Sequence, residues 1–95
     1  MQYELSNHAI TRAQQRGILI ETIEMIATLA DRYTRTPGGT VALSVSDKAR
    51  VRWINGGLPA AAMDRAKGIV LIADLHTNTL VTVEHTHGRR RRFKR

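Results

Sequence analysis

The sequence contains no cysteine. Disulfides and cysteine-ligated zinc are therefore excluded, and the chain suits a reducing compartment. Nor does it hold an apolar run long enough to cross a bilayer, which takes roughly 20 residues. Its opening, Met1-Gln2-Tyr3-Glu4-Leu5, has no basic region followed by an apolar one and does not read as a secretory signal. A cytoplasmic protein with no membrane partner is the expectation. Missing too is any motif that spells out a reaction, and no internal repeat or linker interrupts the 95 residues. That length makes one small domain with a single core.

The last absence is of negative charge at the end of the chain. Residues 1–88 carry 9 Lys+Arg against 8 Asp+Glu, a surplus of one, whereas residues 89–95 carry 6 basic groups and no acid. Most of the net charge of +7 therefore lies on Arg89, Arg90, Arg91, Arg92, Lys94 and Arg95. The chain divides into a domain over 1–88 and a basic arm over 89–95. Such an arm meets nucleic acid or another polyanion, or serves only as a solvated tail. Phe93 inside the run favours the first, since an aromatic ring among cations stacks on bases.

The domain reads as alternating local signals. Ser6 is a good N-cap for a first helix, with Leu5, Ala9 and Ala13 on one stripe and Gly17 as its stop. A second helix is expected over Leu19 to Ala30, burying Leu19, Ile23, Ile26 and Ala30. Arg32 to Thr36 and Thr40 to Ser46 read as strands joined at Pro37-Gly38-Gly39. Ser46 or Asp47 caps a short helix ending near Asn55, and Pro59 opens another over Ala60 to Lys67. Ile69 to Leu75, rich in β-branched residues, and Leu80 to His87 form a second hairpin. In that last strand Val81, Val83, His85 and His87 share one side, and Thr82, Glu84 and Thr86 the other. The expected fold is α+β, an N-terminal helical pair packed on a four-stranded antiparallel sheet, with a short helical insert between two hairpins.

Ser6-x-His8-Ala9-x-x-Arg12-x-x-x-Arg16-Gly17-Ile18 resembles the opening of a widespread bacterial family of short proteins described only as a domain of unknown function. Leu80-Val81-Thr82-Val83-Glu84-His85, the basic tail, Gly38-Gly39 and Asp47-Lys48-Ala49-Arg50 are similar to later parts of that family, so the likeness covers nearly the whole chain. Its layout is distantly similar to RelE-type toxins and the barnase, colicin and RelE ribonucleases, which cleave RNA without a metal. The resemblance implies an RNA-directed toxin held by an antitoxin partner. Glu84 stands where the family has small residues, and Thr86-His87 replaces a more basic or aromatic pair, so a degenerate relative fits equally.

RNA cleavage by internal transfer needs a base for the 2′-hydroxyl, an acid for the leaving oxygen and cations at phosphorus. Imidazoles titrate near neutrality and suit both proton transfers. His8 and His85 are the candidate pair, and Arg12, Arg16 and Arg89 the candidate phosphate ligands, because guanidinium binds two oxygens at once. The scheme needs no metal and no cofactor. Each residue also has a plainer reading: His8 bonded to a neighbour in the first helical turn, His85 satisfied at the core edge, the arginines in exposed ion pairs with Glu21 or Asp31, and Glu84 paired with a basic neighbour on the next strand. His85-x-His87 with His8, His76 or a carboxylate is a rival metal site. A non-catalytic module that holds RNA, DNA or an acidic protein is the alternative function.

Overall fold

The computed structural model describes residues 2–86; His87 and the arm over 89–95 lie outside them. The order is β1 (Glu4–Leu5), α1 (Asn7–Gln15), α2 (Ile20–Leu29), β2 (Arg32–Thr36), β3 (Thr40–Ser44), α3 (Asp47–Asn55), α4 (Ala60–Arg65), β4 (Ile69–Asp74) and β5 (Thr79–His85). The α+β class, the helical pair and the helical insert between two hairpins are present. The four-stranded antiparallel sheet is corrected to five strands in the order β1-β5-β4-β3-β2, with β1 parallel to β5 through Glu4↔Thr79 and Leu5↔Leu80. Two residues carry no visible period, so this strand exists only through its partner.

Helix α1 begins and ends on local chemistry. Ser6 Oγ accepts from the Ala9 N–H at 3.0 Å, satisfying an orphan donor. Gly17 takes φ 67°, Ile18 N–H donates to Ala13 O at 2.8 Å and Gly17 N–H to Gln14 O at 3.3 Å. This paired closure is a Schellman motif. Ala9 and Ala13 are buried, and their small side chains let the helix lie close beside β5. Leu19 was expected inside but is 50% exposed, because it stands at the N-cap with extended backbone and falls off the helical stripe. Ile18 and Thr22 join Ile23 and Ile26 on the buried side instead.

One face of the sheet supplies Val41, Leu43, Ile69, Leu71, Ala73, Leu80 and Val83 to a single core with Ile23, Ile26 and Met63. A fully buried aliphatic side chain contributes about 1.5–3 kcal/mol, whereas an exposed ion pair contributes at most about 1 kcal/mol, so this face dominates the stability. The other face, including Ala42, Ser44, Val70, Ile72, Thr82 and Glu84, stays only partly buried.

Strand β5 departs from simple alternation. The register passes from Ile72↔Thr82 to Ala73↔Leu80, leaving Val81 as an extra residue. Leu80 and Val83, three apart, are therefore both fully buried while Val81 is not. The expectation that Val81 shares the core side with Val83 is corrected by this bulge, which changes the phase of the strand. Thr82 and Glu84 keep to the outer face, as expected, and His85 lies opposite buried Ile69.

Candidate nucleic-acid interface

Helix α1 runs alongside β5 in the same direction. Ser6 N–H donates to Leu80 O at 3.1 Å and Ser6 Oγ to Val81 O at 3.1 Å, while His85 Nε2 stands 3.4 Å from Arg16 O. The start of the helix is thus tied to the start of the strand, and its C-cap to the strand's end. Since β1 covers only Thr79 and Leu80, the rest of this strand edge is left beside α1.

Arg12 and Arg16, one helical turn apart, converge on Glu84. Arg12 Nη2 donates to Glu84 Oε2 at 3.1 Å and to Oε1 at 3.4 Å, and Arg16 Nη2 lies 3.3 Å from Oε1. Thr82 Oγ1 adds a bond to the same carboxylate at 3.5 Å. The three charged side chains are each about one-third exposed, Arg12 30%, Arg16 31% and Glu84 31%. Two guanidiniums on one carboxylate leave a local charge of +1. Each arginine commits only Nη2 to Glu84; the Nε of each is buried without a partner among the described residues, so the donors left for another oxyanion are those of the terminal nitrogens. The expected partners Glu21 and Asp31 are not used. Glu84 also does not bond a basic residue of the neighbouring strand, because Val70 stands opposite it.

His8 is exposed in the first turn of α1. From His8 to Arg16 the helix rises about 12 Å, and from Val81 to His85 the strand advances about 13 Å. Both measures put the imidazoles at opposite ends of the seam. An acid and a base in one phosphoryl transfer must each reach atoms of the same phosphodiester. His8 and His85 are not brought together in that way. Arg12, Arg16 and His85 do share one end of the seam; Arg89 and the rest of the arm, Arg90 to Arg95, are outside the described residues.

Among the described residues no group of three or more His, Cys, Asp or Glu side chains gathers as a metal site. His76 is exposed in the β4–β5 turn, and His87 is not among these residues. No helix among them is long and apolar enough to cross a membrane.

Sequence reasoning missed two further polar clusters. Ser46, the N-cap of α3, donates from its hydroxyl to Asp31 Oδ2 at 2.7 Å and from its N–H to Asp31 Oδ1 at 2.8 Å. These bonds hold the Asp31 carboxyl below its ordinary 3.8. Arg50, 8% exposed, reaches Asp47 at 2.9 Å and Asp64 at 3.4 Å, joining α3 to α4. The first pairing was invisible because its members are 15 residues apart; the Asp47–Arg50 spacing was the one available signal.

No protein-family model, no curated protein and no solved structure matches the chain.

Proposed function

We propose that the protein is a non-catalytic nucleic-acid-binding module that holds RNA by its phosphates. The observation that carries this reading is the Arg12–Glu84–Arg16 cluster: two partly exposed guanidiniums of α1 and its C-cap, with a surplus positive charge, held by a carboxylate on the strand that leads in sequence to the basic arm over 89–95. Guanidinium is suited to phosphate, and the arm supplies the charge that draws a polyanion in. RNA is the preferred polymer because the opening helix and closing strand resemble the domain-of-unknown-function family with its RelE-like layout. The separation of His8 from His85 argues for binding over two-histidine catalysis.

A ribonuclease of the toxin type, with an antitoxin as protein partner, is the second reading. It is favoured by His85 lying next to Arg16, which puts one titratable group beside the phosphate ligands. Both readings are tested together. Labelled RNA is titrated with the full chain in EDTA over a salt series, and its ends are then analysed. Binding that weakens with a log–log slope of about −0.7 per contacted phosphate, with the RNA intact, is the expected result. Removing 89–95 flattens the slope; an unchanged slope removes the arm from the interface. Cyclic-phosphate ends that disappear in a folded His85→Ala variant would replace the binding module with the nuclease.

A further inference from the structure

At the end of the sheet where β2 and β4 begin and β3 and β5 finish lies a cleft of about 630 Å³. Its cations come from three separate segments: Arg32 at the start of β2, Lys48 in the first turn of α3, and Lys67 just after α4. All three are exposed, and none forms an ion pair among the described residues. The carboxylates in the cleft, Asp47 and Asp64, are both met by the nearly buried Arg50. Three cations and two carboxylates line the cleft; Arg50 meets both carboxylates and Asp31 is held by Ser46, so among the described residues the three exposed cations have no ion-pair partner. Thr86 forms part of the rim, its N–H bonded to Gly68 O at 2.7 Å, and the first residue of the basic run follows it by three positions.

We propose that this cleft binds a short stretch of single-stranded nucleic acid, with Arg32, Lys48 and Lys67 taking successive phosphates. The proposal rests on the reading above that the partner is a nucleic acid, and it adds a second site on that polymer's path. The volume is that of a pocket for small ligands, which fall within roughly 300–1,000 Å³. It admits a nucleotide or two from a flexible strand, whereas a duplex or a membrane presents a broad surface that cannot enter. Arg32, on the outer sheet face with its partner Ser44, and Arg12 and Arg16 at Glu84 stand on opposite sides of that face. A strand seated in the cleft can continue across the sheet toward the arginine pair.

The test compares the native chain with the triple variant Arg32→Ala, Lys48→Ala, Lys67→Ala and with Arg35→Ala. Arg35 is an exposed control on the same strand whose register partner, Val41, faces the core. A fluorescein-labelled oligouridylate of about ten nucleotides, within the span such sites cover, is titrated by anisotropy across a salt series. The expected result is a salt slope shallower by about 2 in the triple variant, from about 0.7 for each of three lost contacts, with Arg35→Ala unchanged apart from its general charge. Thermal melting confirms that the variants fold. If the triple variant fails to melt cooperatively, Lys48→Ala and Lys67→Ala are measured singly and each must reduce the slope. Native binding retained in full by folded cleft variants overturns this site and leaves the arginine pair and arm intact. No binding by the native chain overturns both readings.

Discussion

Glu84 is the residue on which the charge of the seam turns. It aims Arg12 and Arg16 and also cancels one of their charges. Since all three are partly solvated, the pairs contribute little stability, up to about 1 kcal/mol. The electrostatic effect on a polyanion is larger, because the local charge doubles from +1 to +2 when the carboxylate is neutralised. Glu84→Gln is therefore expected to leave the urea midpoint nearly unchanged and to tighten RNA binding at low salt, with a steeper salt slope; weaker binding would mean that aiming the guanidiniums matters more than their net charge. Asp31 gives a second prediction. Its carboxyl is depressed in the folded chain by the two Ser46 bonds. A depressed acid stabilises the fold above its ordinary 3.8 and loses that contribution as pH falls through the lower folded value. Asp31→Asn should be less stable than the native chain at neutral pH, and the difference should close in acid below 3.8 when urea midpoints are compared. A gap independent of pH would mean that charge plays no part in the contact.

The helices are set by their ends. Ser46 satisfies the Ala49 N–H and binds Asp31 through the same hydroxyl, so one side chain caps α3 and joins it to the segment before β2. Ser46→Ala should cost about 0.5–2 kcal/mol by denaturant unfolding, the range for a lost cap. Gly17 closes α1 in the left-handed region, with open space where a Cβ would lie. The cost of Gly17→Ala is therefore conformational alone, about 1–2 kcal/mol, and Gly17→Asn should recover part of it. The hairpin between β2 and β3 turns on Gly38 and Gly39, both at positive φ. These elements were legible because each signal and its consequence lie within a few residues. Leu19 shows where such reading stops: apolar and correctly spaced, it is outside because the helix begins one residue later.

For the molecule as a whole, the balance is between one apolar sheet face and a charge distribution that plays little part in folding. Leu71 lies fully buried in the middle of the core. Leu71→Ala should cost about 2–5 kcal/mol, enough to threaten a domain of this size. The partly exposed ion pairs of Arg12 and Arg16 are small beside that. The surface charge thus lies apart from the core, with the arginine seam at one side of the outer face and the basic cleft at one end. A circular-dichroism melt of the chain lacking 89–95 should match that of the full chain; a large fall would make the arm part of the fold.

The sequence by itself determined the α+β class, the helix caps and stops, the two hairpins and the segregation of charge into the arm, because these follow from propensity, capping and composition over short spans. Tertiary structure decided the rest. The parallel edge strand, the bulge at Val81 and the closure of Glu84 on Arg12 depend on groups brought together across the chain, 72 residues apart in the last case. The separation of His8 from His85 was equally hidden, since it comes from α1 lying parallel to β5. Local chemistry chooses an element; only its packing partner chooses what that element's side chains meet.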